Sequence, residues 1–113
     1  MARVVVFVPD LLFGSSVTAA VQAAGHDPVL VGHPEQVRRE LPGAELLIVD
    51  LTAEASQRIA QTSALDGAPK LAFYSHVEAE VRTQAEQAGF DLVVPRSRMA
   101  REGPALVSRL LSR

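Results

Sequence analysis

Short apolar runs alternate with stretches of helical spacing from one end of this chain to the other. Arg3 to Val8 is a β-branched run, too short for a helix and consistent with a strand buried on both faces, and Pro9 ends it. Val17, Ala20, Val21 and Ala24 recur at helical spacing, predicting a helix from about Ser16 to Ala24 with a serine as N-cap and Gly25 just past its end. Val29-Leu30-Val31 predicts a second strand. Pro34-Glu35 opens a helix with Val37 and Leu41 on one face, and Pro42-Gly43 stops it. Glu45 to Leu51 is the clearest strand, followed by a polar helix from Ala53 to Ser63 anchored only by Ala55, Ile59 and Ala60. Pro69 to Tyr74 predicts a fourth strand, and Val77, Val81, Ala85 and Ala88 trace an amphipathic face before Gly89. Phe90 to Val94 makes the fifth strand, and Pro104 to Leu111 carries Leu106, Val107, Leu110 and Leu111 as the stripe of a last helix.

Five strand and helix alternations imply an α/β fold, because parallel neighbours need right-handed helical crossovers that cover both faces of the sheet. The expected architecture is a doubly wound, flavodoxin-like sheet of five parallel strands in the order 2-1-3-4-5. Ligands and catalytic groups of such sheets collect at the C-terminal ends of the strands. Four polar residues follow apolar runs there: Asp10, Asp50, Ser75 and Arg96. Two carboxylates, a hydroxyl and a cation on one rim make a candidate anion or metal site. Each also has a plainer reading. Asp50 could cap the helix that follows it, Asp10 could be a turn residue after Pro9, and Ser75 could cap a helix beginning near Val77. Gly14-Ser15-Ser16 is a small turn before a helix, without the lysine of a Walker loop, and would serve a flavodoxin-like small-ligand domain.

Length and charge narrow the partners. The 113 residues suit one domain over residues 1–113, and 48% hydrophobic with 21% charged residues predicts a folded chain. Eleven Lys plus Arg against thirteen Asp plus Glu leave a net charge of −2, which disfavours binding to a nucleic-acid backbone. There is no cysteine for a disulfide or thiol chemistry, and no run approaches the roughly 18 apolar residues of a membrane span, so a cytoplasmic protein is expected. His26, His33 and His76 lack metal-ligand spacing and read as surface residues. Arg96, Arg98 and Arg101 form the one local basic excess, either a solvated loop or a contact for phosphate or carboxylate.

Three pieces of the chain, in order and at their spacing, resemble the receiver domains of two-component response regulators. They are Val21-Gln22-Ala23-Ala24-Gly25-His26-Asp27-Pro28-Val29, Ala44-Glu45-Leu46-Leu47-Ile48-Val49-Asp50-Leu51 and Ala85-Glu86-Gln87-Ala88-Gly89-Phe90-Asp91. The resemblance runs from Val4 to Leu111. It implies that Asp50 is the acceptor of a phosphoryl group from a histidine kinase. It also implies that Asp10, Asp50 and the backbone carbonyl of Thr52 are Mg²⁺ ligands, that the Ser75 hydroxyl bonds the phosphoryl oxygen, and that Arg96 stands where the family has a lysine.

The departures from that family shape the functional expectation. One carboxylate is missing beside Asp10, which implies weak Mg²⁺ binding. Arginine's planar fork favours bidentate pairing with a carboxylate, so Asp50 is expected to sit in a permanent ion pair with Arg96. Val93 replaces the aromatic residue that normally switches rotamer with the hydroxyl, and Leu51-Thr52-Ala53-Glu54-Ala55 replaces the usual loop after the acceptor. The expectation is a stand-alone receiver-like signalling or interaction module with a degenerate acceptor site, not an enzyme. It would work through a protein partner, a histidine kinase or a downstream effector. It could also form a homodimer through the face made by the fourth helix, fifth strand and fifth helix, about Val77 to Leu111. The rival is a phosphorylatable single-domain response regulator.

Overall fold

The structure is a computed structural model and describes residues 1–112. Its elements alternate as β1 (Arg3–Phe7), α1 (Leu11–Ala23), β2 (Asp27–Val31), α2 (Pro34–Glu40), β3 (Leu46–Asp50), α3 (Ala55–Thr62), β4 (Lys70–Tyr74), α4 (Ala79–Gln87), β5 (Leu92–Pro95) and α5 (Arg96–Leu111). The five strands form one parallel sheet in the order β2-β1-β3-β4-β5, as the alternation predicted.

The central strands are buried on both sides, so their side chains divide by period two into two apolar layers. Val5, Phe7, Leu47, Val49, Ala72 and Val93 face Val37, Ile59, Val81 and Ala85 of α2, α3 and α4. Val4, Val6, Leu46, Ile48, Leu71 and Val94 face Val17, Val21, Met99, Leu106, Val107 and Leu110 of α1 and α5. Asp50 continues the register of Leu46 and Ile48. It stands at the end of the α1 and α5 side, opposite the layer that holds α3.

Two helices begin earlier than the apolar pattern predicted. The first starts at Leu11, not near Ser16, and its N-cap is Asp10, whose Oδ1 accepts from the N–H groups of Leu12 and Phe13 at 2.9 and 3.0 Å. Leu11 and Leu12 are exposed, so their turn carries no apolar periodicity to reveal it. Gly14, Ser15 and Ser16 therefore lie inside α1, which removes the Gly-Ser turn as a ligand loop.

The last helix starts at Arg96, not at Pro104, and Pro104 lies within it. A proline there removes one hydrogen bond and crowds the preceding turn, yet Met99 on one side and Leu106, Val107 and Leu110 on the other form a single buried stripe. Burying such side chains contributes about 1.5–3 kcal/mol each, which outweighs a proline cost of about 3 kcal/mol. Arg96, Arg98 and Arg101 thus belong to the first turns of a helix rather than to a loop. Val77 is 76% exposed and precedes α4, so it takes no part in the face assigned to it.

Gly103 is where α5 meets α1 most closely. A Cβ at this position would lie 2.9 Å from the Ala20 Cβ, an atom that cannot rotate away. Gly103→Val is expected to push the two helices apart and lower stability by about 2 kcal/mol in urea unfolding. Adding Ala20→Gly should recover part of that loss, and an additive pair would show that the contact does not limit the packing.

Candidate functional site

Because all five strands are parallel, β1, β3, β4 and β5 end on one edge, and the residues following them converge. A cleft of about 740 Å³ opens there, lined by Asp10, Phe13, Asp50, Thr52, Ala53, Arg58, Ser75, His76, Arg96, Ser97 and Ala100. The four rim residues expected from the sequence, with Thr52, therefore share one cavity. Their partners differ from expectation.

Asp50 is 2% exposed and both of its carboxylate oxygens are engaged. Oδ1 accepts from the Thr52 N–H at 2.8 Å and from the Thr52 hydroxyl at 2.5 Å. Oδ2 lies 3.6 Å from Nη1 of Arg58, an ion-pair contact, while the same nitrogen donates to the Asp50 backbone carbonyl at 2.8 Å. The expected Arg96 pair does not form. Arg96 lies instead with its guanidinium carbon 4.7 Å from the centre of the Phe13 ring. Arg96 opens α5 on the same side of the sheet as Asp50 yet lies against Phe13, whereas Arg58 rises from the middle of α3 on the opposite side and crosses the end of β3 to reach the carboxylate, its guanidinium 6.0 Å from the Phe7 ring.

Arg58 went unnoticed in the sequence because no motif contains it. One signal was present: Ala55, Ile59 and Thr62 sit on the inward face of α3, and Arg58 occupies the i+3 position of that stripe. An arginine on a buried stripe needs a carboxylate nearby, and the one eight residues back is Asp50. The arginine also approaches the exposed Glu54, with Nη2 3.7 Å from Oε2. Glu54 is the one non-glycine residue with positive φ among those described, at 50°, and it caps α3 without a side-chain hydrogen bond. The left-handed conformation costs a non-glycine residue about 1–2 kcal/mol, and a surface ion pair returns at most about 1 kcal/mol. Glu54→Gly should therefore raise stability by about 0.5–1 kcal/mol in thermal unfolding. A loss of stability would mean that the Glu54 contact with Arg58 is worth more than its exposure suggests.

The donor set does not make a resident Mg²⁺ site. Octahedral Mg²⁺ wants free carboxylate oxygens, but Asp10 spends Oδ1 on capping α1, and Asp50 is bound by Thr52 and faces a fixed cation. No group of three or more His, Cys, Asp or Glu residues among those described could hold a metal. Ser75 follows β4 and lines the cleft without serving as a cap, since α4 is capped by Glu78. Of the three histidines, His76 reaches the cleft, while half-buried His26 accepts the Ala2 N–H on its Nδ1 at 3.0 Å, a structural bond. No helix among the described residues is long and apolar enough to cross a membrane.

No known family profile matches this sequence and no curated protein matches it, but many solved structures do. A response regulator from Thermotoga maritima superposes with a TM-score of 0.85 at 12% identity, over 100% of this chain and 99% of that one. A protein assigned to pilus assembly, CpaE from Burkholderia thailandensis, gives a TM-score of 0.83 at 19% identity, over 100% of both chains. The receiver domain of the sensor histidine kinase PA1611 from Pseudomonas aeruginosa, which holds magnesium in its active-site cleft, gives 0.79 at 13% identity over 99% and 98%. Another matched chain is far longer, and this one spans 26% of it. At such identities the likeness concerns architecture: the protein has the fold of the response-regulator receiver domain.

Proposed function

We infer that this chain is a receiver-like signalling module whose acceptor position has become structural. The observation that carries this reading is the pairing of Asp50 with Arg58. A phosphoryl acceptor must offer a free carboxylate oxygen in line with the donor, and Mg²⁺ or an equivalent must neutralise the charge that develops. Here a buried guanidinium already sits against the carboxylate. Phosphorylation of Asp50 would have to displace Arg58 and leave it without its counter-ion, and any Mg²⁺ would enter weakly against its charge.

In this reading the module is not an enzyme, and it acts in the cytoplasm by holding one conformation for a protein partner, a histidine kinase or a downstream effector. We assign partner binding or homodimerisation to the α4, β5 and α5 face. Arg98 and Arg101 both lie near Glu102 on that face, at 3.5 and 3.4 Å, so exposed intrahelical pairs already offset part of their charge. Incubation with acetyl phosphate and Mg²⁺, followed by intact mass spectrometry, tests the acceptor role. The expected result is no phosphoryl adduct under conditions that label a phosphorylatable receiver domain. An adduct that disappears in Asp50→Asn would make this a working response regulator instead.

A further inference from the structure

Beside the polar cleft lies a second, apolar cavity of about 240 Å³, lined by Phe13, Ser16, Val17, Phe73, Arg96, Met99 and Ala100. The two share Phe13, Arg96 and Ala100, so Arg96 stands at the junction of a polar chamber and a greasy slot. We propose that this junction binds a small organic carboxylate, its apolar or aromatic body in the slot between α1 and α5 and its carboxylate on Arg96. The site adjoins Asp50 in the same cleft, but the proposal does not rest on whether Asp50 accepts a phosphoryl group.

Three observations carry the proposal. The first is the state of Arg96. Its guanidinium is exposed and, among the described residues, has neither a hydrogen bond nor an ion pair, only its stacking on Phe13. Asp50 is matched by Arg58, and Asp10 accepts two helix N–H groups, so of the charged groups in the cleft Arg96 has the charge least answered by its contacts. Stacking holds the planar fork in place, which lowers the ordering cost of a bidentate carboxylate contact.

The second is the slot's shape. Gly103 and Ala20 bring α5 close to α1, and the slot lies one turn from that contact, lined by Val17, Met99 and the buried Phe73. Since that contact fixes the helix pair, the slot exists before any ligand arrives. An apolar cavity of about 150 Å³ holds benzene, so this one accommodates an aryl ring or a branched acyl group of similar bulk. The third is the polar wall, where the Ser75 and Ser97 hydroxyls and the side-chain-uncapped start of α5 offer donors to the second carboxylate oxygen.

The probes are phenylpropionate, its neutral amide, acetate and inorganic phosphate, each titrated into the intact chain and followed by protein amide shifts in NMR. Phenylpropionate should saturate and move the resonances of Phe13, Val17, Met99 and Arg96. The amide and acetate should bind about tenfold or more weakly, each having lost one half of the recognition. Arg96→Gln should weaken phenylpropionate by about tenfold or more while leaving the fold intact, because the side chain is exposed. Val17→Phe, which fills the slot, should abolish the preference for phenylpropionate over acetate. Phosphate binding as well as phenylpropionate would overturn the proposal in favour of a simple anion cleft. So would an amide that binds equally well, an indifferent Arg96→Gln variant, or no saturable shift in the slot.

Discussion

Replacing Asp50 by alanine is expected to lower the stability of this chain by about 3 kcal/mol and its melting temperature by roughly 10 °C. The Asp50 and Arg58 side chains are only 3% and 10% exposed, so the substitution leaves a nearly buried guanidinium without its counter-charge. Two Thr52 donors lose their acceptor as well. In a site built from clustered carboxylates and a removable metal, the same change would relieve like-charge repulsion and raise stability, so the sign of the shift separates the two kinds of site. Pairing Asp50→Leu with Arg58→Met in a double-mutant cycle should recover about 2 kcal/mol relative to the sum of the single losses, because both charges are then gone. A melting temperature that rises in Asp50→Ala, or a cycle with no coupling, would show that the pair contributes little.

Arg58→Met is expected to make the cleft bind divalent cations more tightly than the native chain does. A unit positive charge about 4 Å from a bound divalent ion is worth about 8 kcal/mol at the effective dielectric of a protein surface, and the side chain of methionine keeps most of the packing over Phe7. Even with solvent screening, removing that charge should raise Mg²⁺ affinity by about tenfold or more. The variant should melt lower than the native chain without metal, then regain stability as MgCl₂ replaces NaCl at constant ionic strength. The native chain should barely respond. Acetyl phosphate labelling of Asp50 should appear in the variant for the same reason. Equal Mg²⁺ responses in both proteins would show that Arg58 does not set the cation affinity of the cleft.

The architecture was legible in the linear pattern because a parallel sheet covered on both faces writes each strand as an unbroken apolar run and each crossover as a helical stripe. Val4 to Val8, Leu46 to Val49 and Leu71 to Tyr74 are such runs, and the polar residue that follows each run, directly or after a proline, fell at the edge where ligands gather. Position along a strand is local information. It placed Asp10, Asp50, Ser75 and Arg96 on one rim, and the shared cleft agrees with it. Boundaries were less legible where burial and local chemistry disagreed. The exposed Leu11 and Leu12 hid the first turn of α1, and Pro104 looked like the start of a helix whose buried stripe already includes Met99.

Partnership is a different kind of information. The sequence by itself determined the α/β order, the two-layer core and the rim on which the polar groups stand, since each follows from which positions must leave water. Only the tertiary structure decided that Arg58 rather than Arg96 meets Asp50. That choice depends on how α3 lies over the end of β3 and how α5 lies beside α1, a matter of a few ångströms that no spacing along the chain encodes. It also placed Arg96 over the Phe13 ring at the mouth of an apolar slot, where the ring face attracts the guanidinium.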